Sequence, residues 1–303
     1  MPYYEHFTHQ YPTIHDLAKA ESQDVMKTWE GLGYYSRARN LHATAKYISE
    51  ELNGIFPSSY EQLVKLKGVG PYTAAAIASI AFGEASPVVD GNVFRFISRH
   101  FGVEKDIADQ KNRKYFMEIL EELIPHDQPG VFNQAVMEFG ATVCTPSPNC
   151  SDCIFRTSCY AFANRKQQEL PIKSKKVKVK EQFISYLVIR HEDQVLVKQR
   201  TESIWHGLFE FPSLAGSNPI TNKQLQDKMG VYDEVVFRQS HEPLKHLLTH
   251  RKLWVSFHDY EIKEQKVFNQ VAKDFGFAPY RWEEILTLPF PKVILNHLQR
   301  VGF

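Results

Sequence analysis

The apolar residues of this chain change their period once, and the change limits the folds open to it. From Met1 to about Pro125 they recur at helical spacing, as in Tyr3, Tyr4 and Phe7, Leu63 and Leu66, Phe94, Ile97 and Phe101, and Phe116, Ile119, Leu120 and Leu123, with glycine or proline between the runs. One more helix is predicted from about Phe132 to Gly140. Beyond Lys180 the pattern becomes that of strands: FISYLVIRHEDQVLVKQR reads as a β-branched pair about the turn His191-Glu192-Asp193, and LTHRKLWVSFHDYEI alternates. Side chains on a helix share a face every three to four residues and those on a strand every two, so the two patterns build separate cores. The fold class is therefore multidomain, all-helical first and α+β second. Between the halves, NRKQQELPIKSKKVKVK carries seven basic residues and one acidic from Arg165 to Lys180, which reads as a linker.

Composition excludes several alternatives. With 43% hydrophobic and 13% aromatic residues in 303, the chain fills packed cores and is not disordered. The longest apolar stretch, about Ala74 to Phe82, is too short to cross a bilayer, and MPYYEHFTHQ has neither the basic flank nor the apolar core of a signal peptide. A cytoplasmic protein is expected. A net charge of +1 rules out a large one-signed field, so any nucleic acid is held by local basic patches.

All four cysteines fall in CTPSPNCSDCIFRTSC, at Cys144, Cys150, Cys153 and Cys159, in the pattern C-x5-C-x2-C-x5-C. In a reducing compartment such crowding points to a metal site over disulfides. Four thiolates hold either zinc or an iron–sulfur cluster, and spacing alone does not choose.

In KGVGPYTAAAIA a turn of the form Gly68-Val69-Gly70 precedes Pro71 and an alanine-rich helix. Two readings fit. The free N–H groups at the helix start, at the positive end of the dipole, make a site for a DNA phosphate approached closely through the glycines. Alternatively the glycines only shape a tight helix–helix connection, with Pro71 at the favoured first position. Downstream, in VVDGNVFRF, Asp90 is either an N-cap or a functional carboxylate.

Taken together, LKGVGPYTAAAIA, VDGNV and the four cysteines resemble the helix-hairpin-helix DNA glycosylase superfamily that carries a 4Fe-4S cluster, and within it the adenine DNA glycosylases (MutY-type). The likeness covers nearly the whole chain, through WEGLGYYSRARNLH, FNQAVMEFGATVC, ELPIK and GLFEFPSL. It implies a helix-hairpin-helix glycosylase domain over 1–143, an iron–sulfur loop over 144–164, the basic linker over 165–181, and a Nudix-like (MutT-like) lesion-recognition domain over 182–303. The implied function is base-excision repair: hydrolysis of the N-glycosidic bond of adenine mispaired with 8-oxoguanine or guanine in duplex DNA, by a monomer. Tyr72 stands where the endonuclease III branch places a nucleophilic lysine, implying hydrolysis without a Schiff base.

The resemblance also implies roles. Asp90 is the carboxylate near the developing oxocarbenium ion, and Tyr72 and Asn92 line the same pocket. Gly68, Val69 and Gly70 hold DNA, Tyr34 is an aromatic wedge between Gly31 and Gly33, and Arg37 meets phosphate, while Tyr35 suits a core position. Cys144, Cys150, Cys153 and Cys159 hold one 4Fe-4S cluster, although the first spacing is one residue shorter than is usual in the family. Thr249 and His250 occupy the lesion-recognition positions, with His246 a weaker candidate. A Nudix hydrolase needs a helix of glutamates for Mg²⁺, and KQLQDKMG has none, so this domain is expected to read and not cut. The family's general-acid glutamate precedes the segment matching PYYEHFTHQYP and is expected upstream of Met1, in keeping with a helical pattern that starts at the first residue with no N-cap before it. Pro2 at a genuine helix start is the other explanation. Loss of a general acid forfeits roughly two to four orders of magnitude in rate. The alternative function is thus a non-catalytic DNA- or mismatch-binding fragment.

Overall fold

A computed structural model describes every residue except 1, 175–178, 203, 233 and 303. Contacts group Met1–Gly54 with Val177–Phe303 as one compact unit and leave Ile55–Lys176 as the other. This division differs from the sequence boundaries, because the first helices share their core with the C-terminal half.

In the first unit, helices α1 (Pro2–Gln10), α2 (Ile14–Lys19), α3 (Ser22–Thr28) and α4 (Ser36–Glu51) come first. Thr13 begins α2 with a reciprocal capping box to Asp16. Phe7 packs beside Leu17, Ala18, Val25 and Ala45, whereas Tyr3 and Tyr4, counted in the same apolar pattern, stand exposed. Met26, Tyr35, Ala38 and Leu208 form a joint cluster, and Glu30 Oε1 accepts from the Phe290 N–H at 3.0 Å.

The second unit holds α5 (Tyr60–Leu63), α6 (Pro71–Phe82), α7 (Gly91–Phe101), a 3₁₀ turn at Gln110–Asn112, α8 (Arg113–Leu123), α9 (Pro129–Thr142) and α10 (Tyr160–Ala163). Val93, Phe96, Ile97, Phe116 and Leu120 are its centre, with Phe139 of α9 against them. The stretch read as a linker is tied down at its start: Ile107 N–H donates to Ile172 O at 2.9 Å, Arg99 Nε to Leu170 O at 2.9 Å, and Ser174 binds Asp106. Residues 175–178 of that stretch lie outside the described residues.

The rest of the first unit is α+β: β1 (Lys180–His191), β2 (Gln194–Gln199), β3 (Phe209–Glu210), β4 (Ser213–Gly216), α11 (Asn222–Met229), β5 (Val235–Ser240), β6 (Leu244–Leu247), β7 (Arg251–Ile262), α12 (Gln265–Phe275), β8 (Ala278–Arg281), α13 (Trp282–Ile285) and α14 (Lys292–Arg300). The strand order is β3-β2-β1-β7-β5, with β4 on β1, β6 on β7 and β8 on β2. β1 and β7 run parallel from Lys180↔Arg251 to Arg190↔Glu261, while β1 and β2 pair antiparallel across the Glu192-Asp193 turn. Alternation then sorts the side chains: Tyr186, Val188, Val255 and Phe257 meet Ile294 and Leu298 of α14 on one face, and Leu187, Ile189, Tyr260 and Ile262 meet α11 and α12 on the other. The expected α-then-α+β class is what the structure shows. Among the described residues no helix is long and apolar enough to cross a membrane.

Candidate functional site

In the second unit, α6 starts from a glycine turn. Gly68 has φ +81°, the left-handed region where a side chain is strained, and Val69 N–H closes the turn on Leu66 O at 3.1 Å. Gly70 is the N-cap of α6 and supplies no side-chain acceptor, and a Cβ there would meet nothing within 4 Å. No side chain caps the start of α6, so its first N–H groups after Pro71 sit uncapped at the positive end of its dipole, an arrangement that accepts an anion.

Asp90 caps α7. Its Oδ1 accepts from the N–H groups of Asn92 and Val93, both at 2.8 Å, and its Oδ2 from Asn92 Nδ2 at 3.1 Å. Asn92 is held in turn by Arg95, whose NH2 donates to Asn92 Oδ1 at 2.8 Å. The same guanidinium reaches Gly140 O and, through Nε, Cys144 O at 2.6 Å. One arginine thus ties the capped carboxylate to the end of α9 and to the first cysteine. Of the two readings open in the sequence, the N-cap is observed, and it leaves the carboxylate oriented.

α9 sets where these pieces lie. A Cβ on Gly140 would stand 2.6 Å from Asn92 O, so only glycine admits the start of α7 this close, and a Cβ on Gly130 would stand 2.8 Å from Ile80 Cα of α6. Between them, buried Asn133 donates to Ser79 Oγ and Ser86 O at 2.9 Å and accepts from Val88 N–H at 3.0 Å. Tyr72, on the first turn of α6 and 41% exposed, points its hydroxyl at Met137 Sδ, 3.5 Å away. Met137 and Gly140 are one turn apart on one face of α9, so Tyr72 and the Asp90–Asn92 pair share that face as neighbours.

The four cysteines line a common cavity with Arg99, Phe96, Phe139 and Phe155. Arg99, only 3% exposed on the apolar face of α7, donates to Thr145 O at 2.7 Å and Pro146 O at 3.0 Å and approaches Cys144 Sγ at 3.5 Å. Burial pushes the Cys150 thiol up, and the neighbouring thiols of Cys153, Cys144 and Cys159 add to it, with Arg99 opposing.

In the first unit, Tyr34 adopts φ +47° and is 66% exposed, with the Arg37 guanidinium 4.9 Å from its ring centroid. Tyr35 is buried and donates to Phe290 O at 3.3 Å, as a core residue should. Thr249 and His250 form the exposed tip of the β6–β7 hairpin, closed by Leu248 N–H to Arg251 O at 2.8 Å. The structure brings two expected residues together here, for the hydroxyls of Tyr34 and Thr249 lie 3.4 Å apart. His246 is half-buried against Trp205 and burial holds its imidazole below the usual range.

Sequence reasoning missed Arg95, Arg99, Asn133 and Gly140. An arginine three positions after Phe96, next to it on the same flank of the helix, is a legible signal, since a buried charge needs partners. It also missed His241, Asp259 and His297, which among the described residues offer three possible metal-ligand atoms within 4.8 Å of one another.

The family model of the "HhH-GPD superfamily base excision DNA repair protein" matches residues 1–126, and that of the "NUDIX domain" matches 185–300. The adenine DNA glycosylase of Buchnera aphidicola subsp. Baizongia pistaciae is 31% identical over 264 residues, covering 84% of this chain and 72% of that protein. That of Buchnera aphidicola subsp. Acyrthosiphon pisum is 35% identical over 214 residues, 70% of this chain and 61% of the relative. The Homo sapiens adenine DNA glycosylase is 45% identical over 170 residues, 55% of this chain and 31% of the relative. Among solved structures, a thermostable thymine-DNA glycosylase is similar with TM-score 0.50 and 30% identity, covering 54% of this chain and 76% of that one. The chain spans about three fifths of the length of the first two curated relatives, 61% and 62%. With a helix-hairpin-helix unit and a Nudix-like unit in the matched order, and with the Baizongia pistaciae symbiont's enzyme aligned over most of both chains, this chain belongs to the adenine DNA glycosylase family of base-excision-repair proteins.

Proposed function

We propose that the chain acts on adenine mispaired with 8-oxoguanine or guanine in duplex DNA, hydrolysing the N-glycosidic bond without cutting the strand. The single observation that carries this reading is the fixed carboxylate: Asp90 is gripped by two amides and by Asn92, and Asn92 is locked by Arg95. A carboxylate that cannot swing away is suited to stabilise positive charge building on a sugar as its C–N bond breaks. Asn92 and Tyr72 would border the evicted nucleotide, and Tyr72 offers no amine for a Schiff base. The Gly68-Val69-Gly70 turn would hold a phosphate, positioning the duplex without reading it. Tyr34 would enter the stack, Arg37 would meet the backbone, and the Thr249–His250 tip would supply the polar contacts that recognise the opposite base.

Cys144, Cys150, Cys153 and Cys159 fit one 4Fe-4S cluster, since all four line one cavity with a buried arginine beside it. A single zinc with ~2.3 Å bonds would draw four sulfurs to about 3.8 Å of each other; among the described residues the donor atoms found within 4.8 Å of one another are those of His241, Asp259 and His297 and not the four sulfurs. When bound, the cluster would supply a structural cross-link that holds this loop in position toward DNA. In this reading the functional segments are 1–143 for catalysis and DNA grip, 144–164 for the cluster, 165–181 as connector and 182–303 for lesion reading, in a monomer.

The test separates binding from chemistry. Affinity is measured on duplexes with a non-hydrolysable adenosine opposite 8-oxoguanine or opposite thymine, and excision is followed at single turnover on the normal substrate. The expected outcome is preference for the 8-oxoguanine duplex in both wild type and Asp90→Asn, with excision lost in the variant by roughly two orders of magnitude or more. Equal affinity for both duplexes would overturn the lesion reading, and undiminished excision by Asp90→Asn would overturn the role of Asp90.

A further inference from the structure

Independently of that reading, one buried polar cluster in the Nudix-like part of the first unit is unexplained by DNA repair. Asp259 on β7 and His297 on α14 are 5% and 2% exposed, and His241, on the short connection from β5 to β6, lines a cavity beside them. His241 Nε2 lies 3.0 Å from Asp259 Oδ2, and the two imidazole rings are perpendicular with centroids 4.6 Å apart. His297 stacks flat on Phe257 at 3.8 Å, which fixes its ring plane. Asp259 Oδ1 is buried and accepts no hydrogen bond, an arrangement that native interiors rarely leave unfilled.

We propose that His241, Asp259 and His297 form a binding site for a divalent first-row transition-metal ion, with Zn²⁺ the ion it suits best. Two imidazoles and one carboxylate are the donor set for such an ion, whereas Mg²⁺ and Ca²⁺ want oxygen alone. The His241–Asp259 separation is near the roughly 3.3 Å edge that bonds of about 2.0–2.1 Å give in a tetrahedron. Metal would therefore take the place of the proton between these two groups with little movement. His297 brings a ring nitrogen within 4.8 Å of the other two donors, on an imidazole whose plane is already fixed by Phe257. Gln239 spans the open side, its Nε2 3.0 Å from Asp259 Oδ2 and 3.2 Å from His241 Nε2. Rotating that amide by half a turn presents its oxygen as a fourth ligand; otherwise water completes the set. The Arg190 guanidinium, 3.6 Å from Asp259 Oδ1, opposes any cation, which favours a tightly bonded transition ion over a loosely held hard one. The cavity beside His241 supplies the way in. A bound ion would clip α14 to the sheet and to the segment entering β6.

The probe is zinc alone, taken up by the full chain in equilibrium dialysis with elemental analysis. Wild type is expected to hold one equivalent more than His241→Ala and Asp259→Asn, and equal uptake by folded variants overturns the proposal. Because cysteines also take zinc, and because Asp259→Asn disturbs a buried group, the imidazole nitrogens of wild type are followed directly by ¹⁵N NMR. Zinc is expected to shift the resonances of both His241 and His297. Uptake without a shift at either one overturns the site and assigns the metal to the thiols.

Discussion

Gly140→Ala sets two effects of opposite sign against each other. Alanine in a helix interior is worth about 1 kcal/mol over glycine, so propensity alone makes the variant more stable. The structure says otherwise. The added Cβ would lie 2.6 Å from Asn92 O, 2.8 Å from Asn92 C and 2.8 Å from Asn92 Cβ, all at the first turn of α7. Carbon pairs rest near 3.5 Å, so the start of α7 must retreat by about 0.7 Å. Backbone shifts of this kind cost about 1–3 kcal/mol, which leaves a net loss of about 0–2 kcal/mol after the propensity gain. The displacement also falls on Asp90 and Asn92, and misplacing a reacting group by about 1 Å costs on the order of 100-fold in rate. Denaturant unfolding of Gly140→Ala is compared with Gly91→Ala, where a Cβ would meet nothing within 4 Å. The expected result is a lower midpoint for Gly140→Ala, an unchanged or higher one for Gly91→Ala, and excision reduced only in the former. A Gly140→Ala protein stabilised by about 1 kcal/mol would refute the close approach of α9 to α7 and the account of how Asp90 is placed.

Two further outcomes follow from buried polar groups. Asn133→Ala should lower unfolding stability by about 2–3 kcal/mol in urea titrations, because it strips partners from Ser79, Ser86 and the buried Val88 N–H at once; a loss under about 0.5 kcal/mol would show that water replaces the amide. The Tyr35 hydroxyl is pushed up to about 12 by burial, with the Gly31 amide opposing. A folded value above the ordinary 10 means that the native state holds this proton more tightly, so the contribution is complete below pH 10 and is lost as pH rises toward 12, by about 1.4 kcal/mol per pH unit. Against Tyr35→Phe, which starts about 1 kcal/mol lower for its lost bond to Phe290 O, wild type should fall more steeply between pH 10 and 11.5, and parallel slopes would remove the effect.

Much of the fold was legible because it rests on period. The switch from helical spacing to alternation located the two kinds of structure, and Gly68, Gly70 and Pro71 announced the turn before α6 through their own conformational limits. Asp90 was legible as a cap for the same local reason. What was not legible is the long-range part. Nothing in the spacing of Ser36–Glu51 says that α4 and its neighbours core with Leu208 and Phe290, since an apolar helix face does not name its partner. Tyr3 and Tyr4 show the converse, matching the period yet burying little.

The site divides along the same line. Each group that the sequence points to is local: a capped carboxylate, a glycine turn, an exposed tyrosine, a hairpin tip, four close cysteines. The groups that make a site of them come from elsewhere, and they are the ones missed. Beyond its two backbone amides, Asp90 is held through Asn92, which Arg95 locks while spanning Gly140 and Cys144, and Arg95 meets these acceptors where glycine at 140 lets α9 lie against α7. Asn133 and Gly130 meanwhile set α9 against α6, so one helix fixes the hairpin and the carboxylate to a common frame. Precision at Asp90 is thus a property of α9, a helix that holds none of the residues expected to touch the substrate. Damage to the reaction by substitutions on α9 should therefore appear in the chemical step and much less in the grip on DNA.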